Sequence, residues 1–201
     1  MADELIDIYD SEMNLLGTAM KTQADQESFW RKIVHCWVID GDKVWLQLRG
    51  KNRLVYPALL DISISGHLMT GETAKQAAIR SFEDNLGLLV AESDFEKLFT
   101  YRLVESYKGR EFRAFCPTYA LHAKKQLDAV KLQSAEVDGI FEAKITDLID
   151  LFNGDADKIK ISGYTRSGHK KSERGVSIKD FAPHGESYYL KVFTTLERLI
   201  G

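Results

Sequence analysis

The sequence predicts an α/β protein, and three observations carry that reading. Residues 32–38 and 43–48 are strand-like apolar runs that flank Ile39-Asp40-Gly41-Asp42, whose Asp-Gly step is a strong hairpin signal. Residues 73–86 repeat their apolar side chains at helical spacing instead. Period-two alternation returns at 95–103 and 111–121, on either side of Lys108-Gly109, as expected for two more antiparallel strands.

Length and composition bound the rest. With 201 residues and 44% hydrophobic content, one domain with a substantial core is expected. Its core should span about 30–153, with an N-terminal hairpin at 4–20 and a C-terminal extension at 154–201. A net charge of −3 gives no general affinity for nucleic acid. No secretory signal or membrane-spanning run is evident, so the expectation is a cytoplasmic protein without a membrane partner. The elaborated termini leave room for a homodimer.

The first helix has readable ends. Thr73 and Gln76 have capping-box spacing, so the helix should start near Thr73. Gly87 suits a left-handed C-terminal cap, so it should end near Leu86. Ala78, Phe82 and Leu86 form an apolar stripe, widened by Ala74 and Ile79 for packing on a sheet. Ala77, Ser81, Asp84 and Asn85 fall on a different face.

A glycine loop, Gly66-His67-Leu68-Met69-Thr70-Gly71-Glu72, feeds this helix, and Arg80-Ser81-Phe82-Glu83-Asp84-Asn85-Leu86-Gly87-Leu88 follows in register. Loop and helix resemble the Nudix box, G-x5-E-x7-R-E-U-x-E-E-x-G-U, where U is aliphatic. The resemblance implies an α/β/α sandwich around a mixed sheet. It also implies a divalent cation, Mg2+ or Mn2+, held against a small-molecule diphosphate. Magnesium takes one or two carboxylates and completes its shell with water and substrate phosphate. Of the three family acids, this chain has Ser81 for the first, Asp84 for the second and Asn85 for the third, so one formal negative charge survives. Glu72 and Arg80, the pair by which the family orients loop and helix, are both retained. Glu83 lies about 100 degrees around the helix from Asp84 and is not counted as a ligand.

His35-Cys36-Trp37, Tyr56-Pro57, Leu60-Asp61 and Ser63 to His67 resemble a branch containing isopentenyl diphosphate isomerase and its hydrolase relatives. In that isomerase a cysteine precedes the Gly-His pair. Ser65 stands there instead, and a hydroxyl is a poor proton shuttle without a strong neighbouring base, which disfavours isomerisation. In that branch a histidine at the His67 position ligates a metal; the other reading is a loop histidine bonded to backbone. His35 reads as a packed core histidine, and Cys36 and Cys116 as buried thiols.

Ser134 to Phe141 resembles the family's late strand, in which a carboxylate supplies a further metal ligand or the base. Glu136 is the candidate for that role. Residues 145–152 continue as a closing helix ended by Asn153-Gly154. Between Gly163 and Asp180, Arg166, His169, Lys170, Lys171 and Arg174 could meet a diphosphate, although such a run reads more simply as a solvated loop. Ser187 is placed to cap a last helix to Leu199, with Tyr189, Val192, Phe193, Leu196 and Leu199 at helical spacing.

The sequence thus predicts metal-assisted attack of water at phosphorus on a small organic or nucleoside diphosphate. Asp84 would hold the metal and Glu136 would assist, Glu72 and Arg80 would set the loop, and Gly66 would let backbone N–H groups approach phosphate. The rival is a ligand-binding or regulatory module that kept the fold and lost the reaction.

Overall fold

The structure, a computed structural model, describes residues 3–167 and 170–201. Its eleven described strands share one mixed sheet. β3 (Trp30–Asp40) runs through the centre, parallel to β8 (Arg110–His122) and antiparallel to β6 (Ile64–His67). β4 (Lys43–Arg49) pairs with β5 (Leu60–Asp61) and along its length with β9 (Val137–Lys144). β7 (Glu96–Tyr107) pairs antiparallel with β8 through the Lys108-Gly109 turn, where both residues have positive φ. The hairpin expected from Asp40-Gly41 forms, but β3 pairs with β4 at Ile39↔Val44 and Asp40↔Lys43 only. Beyond the turn the strands part, because β3 hydrogen-bonds to β6 and β8 instead.

Helices cover both faces, as the sandwich requires. α2 (Ala74–Leu86) packs on one face, where Ala77, Ala78, Phe82 and Leu86 meet Val34, Cys36, Val38 and Trp45. α3 (Ile145–Asn153) and α4 (Glu186–Ile200) pack on the other, against Trp37, Ile39, Leu46 and Phe141. Odd and even residues of β3 therefore feed different cores, the period-two consequence of a sheet covered on both sides.

Both ends add to the sheet. β1 (Leu5–Tyr9) and β2 (Leu15–Met20) form the N-terminal hairpin, followed by a short α1 (Lys21–Gln26). The stretch read as a solvated loop is instead a hairpin, β10 (Ile159–Thr165) with β11 (Lys170–Val176), which extends the sheet beyond β9. Its apolar signal is thin because β11 is an edge strand, yet Gly163 fits tightly: a Cβ there would meet Ile140 O at 2.2 Å. His169 lies outside the described residues. α4 begins at Glu186 behind an N-cap at Gly185 with φ 88°, so Ser187 sits inside the first turn and is not the cap. None of the described helices is long and apolar enough to cross a membrane.

Candidate functional site

The loop entering α2 is built from its own polar atoms. The Thr73 hydroxyl accepts from Gln76 N and the Gln76 side chain accepts from Thr73 N, closing the capping box, and Gly87 is left-handed at the other end. Arg80 donates from Nε and Nη2 to the two oxygens of Glu72, each at 2.8 Å, and Nη2 also reaches His67 O at 2.9 Å. Glu72 Oε2 further accepts from Met69 N at 2.9 Å. The hydrogen bond from Arg80, ahead of the cost of burial, holds the Glu72 carboxyl below its ordinary pKa. A bidentate guanidinium–carboxylate pair thus ties helix to loop, and the backbone from 67 to 72 is set by it.

The other polar positions of α2 are arranged differently from the helical-wheel expectation. Of the four residues Ala77, Ser81, Asp84 and Asn85, the first two are buried on the inner side, Asn85 is half-buried and Asp84 is exposed. Ser81 Oγ donates to Ala77 O at 2.7 Å, one turn back along the helix. The same hydroxyl occupies the space above Gly66, where an added Cβ would lie 2.0 Å from it. Serine at this position therefore fills a gap between helix and strand. Glycine at 66 is needed for that close approach.

Glu136 precedes β9 and is half-buried, and its carboxylate is taken by Arg53 in an ion pair. Among the described residues, no group of three or more His, Cys, Asp or Glu side chains could hold a metal ion. Ser81 is committed to a backbone carbonyl, Glu136 to a guanidinium, and Asp84 is a single exposed carboxylate. This donor set does not fit a resident divalent cation.

His67 is half-buried at the end of β6, opposite Ile33, and its Nδ1 is buried without a hydrogen-bond partner. Burial first, then the charges of Lys21, Arg31, Arg53 and Arg80, hold its pKa well below the ordinary histidine value. His35 is a core histidine as expected, with Nδ1 at 2.7 Å from the Tyr188 hydroxyl. Burial, and then repulsion from His184, lower its pKa to about 3. Cys36 and Cys116 are buried free thiols, each pushed up by burial.

No protein-family model matches the chain. A Clostridium acetobutylicum protein named as an uncharacterized Nudix hydrolase is 26% identical over 204 residues, covering 98% of both chains. The chain is thus similar over nearly its whole length to a protein named as a Nudix hydrolase. Solved structures show the same Nudix fold at low identity. DR0079 from Deinococcus radiodurans superposes with a TM-score of 0.60 at 16% identity, over 75% of this chain and 90% of that one. The Nudix domain of Shewanella oneidensis NrtR, solved with ADP ribose, gives 0.54 at 12% identity, over 91% of this chain and 100% of that one.

Within this Nudix fold, the sequence located Gly66, His67, Glu72, Arg80, Ser81, Asp84 and Asn85 through the box, and the structure places them on the end of β6, the loop that follows it and α2. A polar cluster escaped notice, in which Asp61 meets Arg49 and His184.

Proposed function

We propose that this Nudix-fold chain is a binding module for a small organic diphosphate, in which metal-assisted hydrolysis is strongly weakened. The observation that carries the reading is the fate of the three acidic box positions. Ser81 is turned onto Ala77 O and Gly66, Asn85 carries no charge, and Asp84 stands alone. Loss of a general base alone costs about 10²- to 10⁴-fold in rate, and a depleted metal site adds to it. The loop scaffold is retained through the Glu72–Arg80 pair, which supports a ligand site. The ADP ribose bound by the Shewanella Nudix domain supports a nucleoside diphosphate as the first class to test.

Hydrolysis with Mg2+ or Mn2+ is the second reading, and the intact Glu72–Arg80 clamp favours it. It requires Asp84 and a Glu136 released from Arg53 to act together. Isomerisation has less support, because Ser65 pairs across the strands with His35, whose pKa of about 3 makes it a weak base.

Calorimetric titration of the purified chain with nucleoside, sugar and isoprenoid diphosphates in Mg2+ tests the binding reading. Saturable binding of at least one class is expected. A panel with no binding member overturns it.

A further inference from the structure

We propose that the β1–β2 hairpin is the contact surface of a homodimer, in which the β2 edge of each copy lies antiparallel along that of a second copy. The contact also braces the loop that enters α2, whatever that loop binds.

The two ends of the strand order are guarded differently. An unpaired strand edge invites pairing with another chain, and charged side chains are a common guard against it. β11, at one end, carries Lys170, Lys171, Glu173 and Arg174 among its seven residues. β2, at the other end, reads Leu15-Leu16-Gly17-Thr18-Ala19-Met20 and carries no charge. Leu15 and Leu16 are 62% and 60% exposed, and Leu5, opposite Met20 in the hairpin, is 47% exposed. Successive strand residues normally point to opposite faces. Here both leucines are open to solvent because Leu16 is left unpaired between Ile8↔Gly17 and Tyr9↔Leu15, a bulge that widens the apolar edge.

The surface is preformed. In the hairpin turn Asp10 Oδ1 accepts from Asn14 N at 2.8 Å and from Glu12 N at 3.0 Å. Tyr9 pairs with Trp30 of β3, and Ile6 bridges to Met69. Thr70 N bonds to Leu5 O at 3.0 Å next to that bridge, so fixing the hairpin fixes the backbone that Glu72 and Arg80 clamp.

Charge selects a second copy as the occupant. The uncharged run from Met13 to Met20 is bounded by Glu12 at one end and Lys21 at the other. Laid antiparallel on itself, the strand brings the Glu12 end of each copy beside the Lys21 end of the other, whereas a parallel arrangement would set like charges together. Glu4, Asp7 and Asp10 lie on or beside β1. The two β1 strands would be three strand spacings apart, about 14 Å, beyond the screening length of about 8 Å in physiological salt. Those same acids repel an anionic lipid surface.

Sedimentation equilibrium of the full chain, from nanomolar to tens of micromolar, reads the association. A monomer–dimer equilibrium is expected. Leu15→Lys with Leu16→Lys should weaken it about tenfold or more, while Ile178→Lys with Ile200→Lys, at exposed apolar positions outside the hairpin, should leave it unchanged. Glu12→Lys and Lys21→Glu should each weaken self-association about tenfold, and mixing the two variants should restore dimers, because opposite charges then meet at both ends of the contact. A parent that stays monomeric overturns the proposal, as does a dimer that survives the leucine variant or a mixture that stays monomeric. Should the leucine variant fail to fold, the mixture decides alone. A monomeric parent that cosediments with phosphatidylcholine vesicles overturns it in favour of a lipid surface. Hydrogen exchange reads the brace: the amides of 67–72 should exchange more slowly in the dimeric parent than in monomeric Glu12→Lys, and equal rates overturn that part.

Discussion

His184 Nε2 lies 2.6 Å from Asp61 Oδ1, and both residues are buried although 123 positions separate them. Arg49 holds the other Asp61 oxygen at 2.6 Å, and Glu105 Oε2 lies 3.4 Å from His184 Nδ1. The alternating charges fasten the segment before α4 to the sheet, next to the backbone bond from Ala182 N to Leu60 O. Four charges out of water are tolerable only because each has a partner.

The first prediction follows from that chain. Burial alone would lower the His184 pKa, but Asp61 and then Glu105 outweigh it and raise it to about 9 from 6.5. Stability from a raised histidine is complete below 6.5 and disappears as pH climbs through 9. Burial would raise the Asp61 pKa, but His184 and Arg49 carry it well below 3.8, so its contribution is present above 3.8 and is lost in acid. Melting temperature should therefore fall between pH 6.5 and 9, and His184→Gln should flatten that slope. Removing the imidazole with His184→Ala should cost about 3–5 kcal/mol, read by urea unfolding at pH 6.

A second prediction concerns the loop clamp. Glu72→Gln keeps the shape but gives Arg80 a neutral partner, and charge-assisted bonds of this kind contribute roughly 1.5–3 kcal/mol when well sheltered. The pair is about a quarter exposed, so the lower half of that range is expected. Hydrogen exchange should accelerate at the amides of 67–72 while those of β3 and β8 stay protected.

The third prediction tests the close approach between strand and helix. Gly66→Ala places a methyl 2.0 Å from Ser81 Oγ and 3.2 Å from Ser81 Cβ. Overpacking of this sort costs about 1–3 kcal/mol. Adding Ser81→Ala removes the nearer atom, so the double variant should recover part of the loss, and a double-mutant cycle should show coupling.

Local chemistry made much of this fold legible. Thr73, Gln76 and Gly87 announce the ends of α2 through capping, and the Asp40-Gly41 and Lys108-Gly109 turns announce two hairpins, because such signals lie within a few residues of what they control. The β10–β11 hairpin was hidden for a physical reason. β11 is an edge strand rich in charged residues that needs few apolar side chains, and it pairs with β10, which in turn pairs with β9. The helical wheel separated Ser81 from the apolar stripe but gave no sign of its burial, because the Gly66 hollow that receives its hydroxyl belongs to another element. The Asp61–His184 contact has no local signature at all. It arises when distant segments meet.

The central claim is that the Nudix scaffold persists here while its acidic working face does not. Its most direct test is phosphate or monophosphate release from an organic diphosphate panel with Mg2+ and Mn2+, measured in parallel for the parent and for Ser81→Glu with Asn85→Glu. The account predicts little or no turnover by the parent and a gain of about 100-fold or more on restoring the carboxylates. Robust metal-dependent turnover by the parent, unchanged or reduced in the restored variant, would contradict it.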